Sequence, residues 1–163
     1  AILANTANEI LMADPLLPTS GAFGADHIHR LPVRVYYEDT DFSGVVYHAR
    51  YLHFFERGRT DSLRCLGISH TELATQADPL ALAVRRMNVE FVRAARVDDA
   101  LVVETIYRPQ QGARLMLDQV LRRDGEIIAT AAVQAVCMDP SGRAKRPPKS
   151  MAQAWLPYVM AGN

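Results

Sequence analysis

The sequence lacks several features that would define a specialised class of protein. It has only two cysteines in 163 residues, which excludes a small scaffold held together by disulfides. No run approaches the ~20 consecutive apolar residues that a membrane-spanning helix requires. Lys and Arg together number 18, as do Asp and Glu, so no net charge favours nucleic acid as a partner. What is present is a globular composition, with 49% hydrophobic residues.

The two cysteines, Cys65 and Cys137, each stand beside apolar neighbours. Because Cys in such a setting usually behaves as a small buried hydrophobe, we expect both in the core of a protein from a reducing compartment. A disulfide between them stays open, since the spacing alone does not exclude one.

Residues 1–30 carry the weakest pattern. Asp14-Pro15, Pro18 and Ser20-Gly21 interrupt short apolar pieces, and the basic start of a leader peptide is missing. We therefore expect residues 1–30 to form a flexible N-terminal extension and residues 31–163 to form a single domain.

From residue 31 onward the sequence predicts one strand, one long helix and four further strands. Alternating side chains predict a half-buried strand over residues 32–37. Helical spacing of apolar residues predicts a helix over residues 48–66, with Gly67 as its C-terminal cap. Gly58, in the middle of this helix, indicates close packing against a sheet or a ligand. The later strands are predicted at residues 80–92, 100–107, 114–122 and 126–138.

Short connections between the later strands predict antiparallel neighbours, because a parallel pair needs a long crossover. Residues 123–126, Arg-Asp-Gly-Glu, are typical of a hairpin turn. The fold class is therefore α+β, with one long helix on an antiparallel sheet and a short final helix near residues 151–156.

The densest chemical signal lies between the first strand and the helix, at residues 37–51. Several acidic residues end the strand, a glycine permits a close turn, and free N–H groups at a helix start favour negative charge. A carboxylate facing those donors would suit acyl transfer, since it can activate water or attack a carbonyl while the donors stabilise the oxyanion. The alternative is an Asp that only caps a helix or forms a turn.

This element, Tyr-Glu-Asp-Thr-Asp-x-x-Gly-Val-Val-Tyr-His-x-x-Tyr, resembles the signature of the 4-hydroxybenzoyl-CoA thioesterase branch of hotdog-fold proteins. It is most similar to the YbgC-type thioesterases associated with the Tol-Pal system. Further similarities follow in order at residues 55–60, 84–91 and 148–150. The resemblance implies acyl-CoA thioesterase activity and a hotdog fold, in which an antiparallel β-sheet wraps around one long central α-helix.

The resemblance also implies roles for individual residues. Asp41 corresponds to the catalytic carboxylate, as nucleophile or general base, and His48 would orient Asp41 or the substrate. The thioester carbonyl would lie against backbone N–H groups near Tyr47 and His48. Phe42-Ser43, which stands where relatives have small residues, would narrow the acyl pocket. The expected substrate-binding residues are Gly44, Val46, Tyr47, Tyr51 and Glu56.

Some of these positions have competing interpretations. Tyr51 is equally consistent with a core residue. Glu56 is a rival carboxylate, because another branch of this fold uses an acidic residue of the central helix, but we expect it to pair with Arg57 or Arg59. Asp39 is expected to have a structural or hydrogen-bonding role.

The resemblance implies neither a metal nor a redox cofactor. A metal site at Asp26, His27 and His29, or at His48 and His53, is a weak alternative without a complete ligand set. The expected partners are an acyl-CoA substrate and further copies of the chain, in a homodimer or homotetramer with the site at a dimer interface. Acyl carrier protein and lipid-synthesis enzymes are further candidates. The expected location is the cytoplasm, with peripheral contact to the inner membrane left open.

Two other functions stay open from the sequence. A hydratase or dehydratase on acyl thioesters would need an Asp/His or His/Glu pair placed for proton transfer at the acyl chain. A non-catalytic acyl-binding protein of the cell envelope system would bind acyl thioesters without turning them over.

Overall fold

One antiparallel sheet organises the chain in the computed structural model, which describes residues 21–162. Its strands are β1 (Ala22–Phe23), β2 (His29–Arg34), β3 (Ala81–Phe91), β4 (Ala100–Gln111), β5 (Arg114–Arg123), β6 (Glu126–Met138) and β7 (Ala144–Lys145). They lie in the order β1-β2-β4-β5-β6-β3, and β7 pairs with β6. Every strand pairing is antiparallel, as the short connections predicted.

Three α-helices accompany the sheet: α1 (His48–Cys65), α2 (His70–Thr75) and α3 (Lys149–Trp155). The first ends one residue before the predicted end, and Gly67 follows with a φ of 75°. The second was expected to be loop; the side chain of Ser69 caps it by accepting the N–H of Glu72. Within residues 21–162, no helix combines the length and apolar character needed to cross a membrane.

Close packing of α1 on the sheet occurs at Gly58, as predicted. A Cβ atom at Gly58 would lie 2.5 Å from Val103 Cγ1 and 3.1 Å from Thr105 Oγ1, both on β4. Phe54 and Phe55 on the same helix are fully buried. The helix therefore lies directly on the sheet, and a side chain at position 58 would separate the two.

The sheet extends further toward the N terminus than the sequence suggested. β2 begins at His29, and Ala22 of β1 pairs with Arg30, so the domain boundary expected at residue 31 falls inside β2. His29 Nε2 lies 2.9 Å from Asp61 Oδ2 on α1, which ties β2 to the helix. The remaining part of the predicted extension, residues 1–20, lies outside the described residues.

Two further expectations need correction. The first strand was predicted to reach Tyr37 but ends at Arg34, because residues Tyr37–Asp39 form a 3₁₀ turn. Cys137 is buried as predicted, whereas Cys65 is exposed at the end of α1. Both thiols are free, so the open possibility of a disulfide is not realised.

Candidate active site

The segment between β2 and α1, residues 35–47, is held in place at both ends, and we call it the acidic segment. Thr40 and Val46 form an antiparallel bridge, and Val45 bridges Arg96. Within the turn, the N–H of Gly44 donates to Asp41 O at 3.0 Å, and Gly44 has a φ of 78°, which glycine adopts without strain. The turn fixes the backbone of Asp41 shortly before the helix begins.

The Asp41 carboxylate is held by Ser43, two residues further along this turn. The hydroxyl and the N–H of Ser43 both donate to Asp41 Oδ1, the N–H at 2.8 Å. These two bonds, assisted by the nearby imidazole of His48, hold the pKa of the Asp41 carboxyl below its usual value. Asp41 is partly exposed, so it presents an ionised carboxylate within reach of a ligand.

α1 begins without a side-chain cap, since the N-cap residue Tyr47 makes no capping hydrogen bond. The N–H of Tyr47 donates to Asp39 O at 2.9 Å, so it is not free for a thioester carbonyl. The N–H of His48 has no hydrogen-bond partner within the described part of the chain. Of the two positions expected to hold the carbonyl, the structure leaves the donor at His48, at the positive end of the helix dipole.

Three of the predicted site residues share one cleft beside the start of α1. Val46, His48 and Tyr51 line this cavity of about 240 Å³ together with Phe91 at the end of β3. The ring of Tyr51 is 4% exposed, and its hydroxyl accepts the N–H of Ala95 at 3.0 Å. Tyr51 is therefore a core residue that also forms a wall of this cleft.

The other residues of the acidic segment lie outside this cleft. Gly44 shapes the turn, and the exposed ring of Tyr47 lies 4.4 Å from the ring of His48. Phe42 was expected to narrow the acyl pocket, but its side chain is fully exposed and does not line the cleft beside His48 and Tyr51.

Glu56 lies apart from Asp41 and lacks the expected ion pair. None of the salt bridges within residues 21–162 includes Glu56; instead its Oε1 accepts the hydroxyl of Thr60 at 2.6 Å. Glu56 lines a second cavity between α1 and β3, which shares no lining residue with the first cleft. We name the first the His48 cleft and the second the Glu56 cavity; Asp41 lines neither of them.

Asp39 has the structural role expected for it. It is 2% exposed, and its Oδ2 accepts the N–H of Tyr36 at 2.8 Å. Its Oδ1 lies 3.3 Å from Arg50 Nε on α1. These contacts fix the start of the acidic segment against the helix.

The possible metal ligands Asp26 and His29 do not come together, because each has a different partner. Asp26 forms an ion pair at 2.7 Å with an arginine of β2, and His29 contacts α1 instead. There His29, Asp61 and Cys65 place ligand-type atoms within 4.8 Å of one another. The hydrogen bond between His29 and Asp61 accounts for the closest of these contacts.

A polar pair beneath α1 was missed from the sequence. Arg59 Nη1 donates to Gln119 Oε1 at 2.9 Å, and Gln119 is 1% exposed. A signal was present, because Gln119 stands at an inward-facing position of β5, in line with Leu117 and Leu121.

Comparison with known proteins identifies the family of this chain. Residues 35–156 match the family model described as the thioesterase-like superfamily. The acyl-CoA thioesterase YbgC of Haemophilus influenzae is 45% identical over 114 residues, which cover 70% of this chain and 83% of that protein. The acyl-CoA thioester hydrolase YbgC of Escherichia coli O157:H7 is 43% identical over 114 residues, which cover 69% of this chain and 84% of that protein. The crystal structure of a probable thioesterase from Bartonella henselae is 41% identical, covers 74% of this chain and 99% of that chain, and has a TM-score of 0.72.

The fold and these similarities together define a hotdog-fold thioester hydrolase, which confirms both the predicted fold and the predicted class of enzyme. The chain belongs to the thioesterase-like superfamily. Its similarity to the two YbgC proteins also confirms the resemblance to the YbgC-type branch.

Proposed function

We propose that this chain hydrolyses an acyl-CoA thioester to a free acid and CoA, with Asp41 as the reacting carboxylate and the His48 N–H as the oxyanion donor. One observation carries the proposal: the ionised Asp41 carboxylate is fixed by Ser43 on the turn that leads into the uncapped start of α1. The two YbgC relatives, an acyl-CoA thioesterase and an acyl-CoA thioester hydrolase, support the same substrate class.

Both possible roles of Asp41 need an ionised carboxylate. As a general base, Asp41 takes a proton from the water that attacks the thioester carbonyl. As a nucleophile, its oxygen attacks the carbonyl and expels the CoA thiolate, and water then hydrolyses the mixed anhydride. Negative charge develops on the carbonyl oxygen in both routes, where a free backbone N–H stabilises it. The lowered pKa of Asp41 keeps the required form at neutral pH.

The His48 cleft of one chain is small for this substrate. Its volume is about 240 Å³, whereas pockets for ligands of drug size or larger occupy about 300–1,000 Å³. A second copy of the chain would supply the missing walls.

We therefore also propose a homodimer formed through the free edge of β3. This strand ends the sheet and carries 11 residues, so one row of its backbone groups has no partner strand within the described residues. Val84, Phe91 and Val92 at or beside this edge are 46%, 51% and 53% exposed. Pairing two copies of β3 about a two-fold axis would continue the sheet and cover these side chains.

This pairing would also bring the two cavities together. The Glu56 cavity lies along residues 82–84 of β3, and the His48 cleft lies at Phe91. Because antiparallel copies in full register set the first half of one strand beside the second half of the other, the Glu56 cavity of one copy would adjoin the His48 cleft of its partner.

Other expectations from the resemblance stay predictions. They are a tetramer of two such dimers, contacts with acyl carrier protein or lipid-synthesis enzymes, and a cytoplasmic location.

Free-thiol release from a panel of acyl-CoAs, from short to long and aromatic, tests the proposed reaction. We expect catalytic release from at least one member of the panel. A folded protein that releases no thiol from any of them would contradict the proposal. Sedimentation equilibrium tests the dimer, for which we expect a mass of twice 18.1 kDa or a multiple of it; a species of 18.1 kDa at micromolar concentration would contradict it.

A further inference from the structure

Arg59 lies on the side of α1 that faces the sheet, unlike its exposed neighbour Arg57. Burial lowers the pKa of the Arg59 guanidinium, and the charge of Glu56 opposes this effect. A guanidinium in such a place is normally paired with a carboxylate.

No such pair is present within residues 21–162, where no carboxylate lies within 4.0 Å of Arg59. Its one hydrogen bond goes to Gln119 Oε1, although a guanidinium carries five N–H donors. Gln119 is itself fixed, because its Nε2 donates to Phe55 O and to Thr105 Oγ1, each at 2.9 Å. The amide oxygen thus holds Arg59 in position and leaves most of its donors unused.

Arg59 lines the Glu56 cavity, whose volume is about 130 Å³. Apolar side chains such as Leu63, Leu82 and Leu115 line much of the cavity, and the polar residues Glu56, Thr60, His70 and Tyr107 line it as well. An apolar cavity of about 150 Å³ holds a benzene molecule. The Glu56 cavity therefore has the size of an aromatic ring or a short acyl group, with a cation in its wall.

Within one chain this cavity lies far from the reacting carboxylate. His48 and Arg59 are eleven positions apart on α1, which corresponds to about 16 Å along the helix. In the dimer proposed above, the cavity of one copy instead adjoins the His48 cleft of its partner. An acyl group whose carbonyl lies at Asp41 would then extend toward Arg59 of the partner subunit.

We propose that Arg59 selects acyl groups whose far end carries an oxygen that accepts hydrogen bonds, either a carboxylate or a hydroxyl. This inference rests on the proposed thioesterase function and on the β3 dimer. The unused donors of Arg59 in this cavity carry it, because an alkyl end would bury them without a partner whereas an oxygen satisfies them.

Two pairs of substrates of matched shape test the proposal. Succinyl-CoA and 4-methylpentanoyl-CoA differ by a carboxylate in place of an isopropyl end, and 4-hydroxybenzoyl-CoA and 4-methylbenzoyl-CoA differ by a hydroxyl in place of a methyl. We expect kcat/KM to favour the oxygen-bearing member of at least one pair by about tenfold or more. The pair that shows the preference identifies the acceptor.

Two variants locate the origin of the preference. In Arg59→Met the ratio within the pair falls to about one, because the guanidinium is lost while an unbranched stem remains. The matched control Arg57→Met, an exposed arginine of the same helix, keeps the wild-type ratio. If Arg59→Met does not fold, Arg59→Lys takes its place, and we expect the ratio to fall at least about threefold since the forked donors are lost.

Equal kcat/KM values within both pairs for the wild type would overturn the inference. So would a preference that persists unchanged in the folded Arg59 variant. Thiol release from these four substrates without any preference for the oxygen-bearing acyl groups contradicts only the role of Arg59 and leaves the proposed thioesterase function standing. Absence of release from every acyl-CoA contradicts the proposed function and the inference together.

Discussion

Replacing Gly58 by Ala should destabilise the protein, although alanine is the better helix former by about 1 kcal/mol. The added Cβ would lie 2.5 Å from Val103 Cγ1, 3.1 Å from Thr105 Oγ1 and 3.2 Å from Gln119 Nε2. Val103 is fully buried and stiff at χ1, and the other two side chains are joined by a hydrogen bond. Because none of these neighbours is free to move, the helix must shift away from the sheet.

Overpacking of this kind costs about 1–3 kcal/mol, and three crowded contacts place Gly58→Ala near the upper end. After the gain in helix propensity is subtracted, we expect a net loss of about 2 kcal/mol. Urea unfolding at a fixed protein concentration measures it, followed by the fluorescence of Trp155, the single tryptophan, which is 2% exposed.

A second substitution separates the clash from other causes. Val103→Ala removes the closest contact, so the double variant should lose clearly less stability than the sum of the two single losses. A Gly58→Ala protein as stable as the wild type, or more stable, would refute the close packing of α1 on β4.

Three further predictions concern the turn, the tie between β2 and α1, and the thiols. Ser43→Ala removes a hydrogen bond that favours the ionised form of Asp41, so the acid limb of the pH profile of kcat/KM should move to higher pH; an unmoved limb would contradict that bond. Asp61→Ala leaves buried donors without their acceptor and should cost about 2–3 kcal/mol in urea unfolding, whereas an unchanged midpoint would mean that the tie contributes nothing. In native protein a small alkylating reagent should label Cys65 well before Cys137, because Cys137 is buried and its burial raises the pKa of the thiol to about 11. Simultaneous labelling would contradict this order.

Regular periodicity made the long elements predictable. α1 was placed within one residue at its C-terminal end, since its apolar spacing and Gly67 mark both its face and its end. β6 has the predicted bounds because a hairpin turn and a proline enclose it. The acidic segment was likewise placed correctly between β2 and α1, and its motif indicated Asp41 as the candidate catalytic carboxylate.

The remaining features depend on contacts that local patterns do not encode. β1 is two residues long, too short to show alternation, and is fixed only by pairing with β2. Glu56 was expected to pair with Arg57 or Arg59, but Arg59 instead bonds to Gln119 of the sheet, 60 residues away in the sequence. Such long-range partners follow from how α1 lies on the sheet, which the spacing of residues along the helix does not reveal.

The most direct test of the account compares kcat for Asp41→Asn with that of the wild type, on the acyl-CoA that is hydrolysed fastest. Glu38→Gln is the matched control, because the carboxylate of this exposed residue in the same segment lies 3.9 Å from Arg50, and the substitution keeps the backbone oxygen that Arg50 also contacts. We predict that Asp41→Asn loses at least about 100-fold in kcat while it keeps the wild-type fold and mass, and that Glu38→Gln stays within about twofold. An Asp41→Asn protein that releases CoA at the wild-type rate would show that a different group performs the hydrolysis.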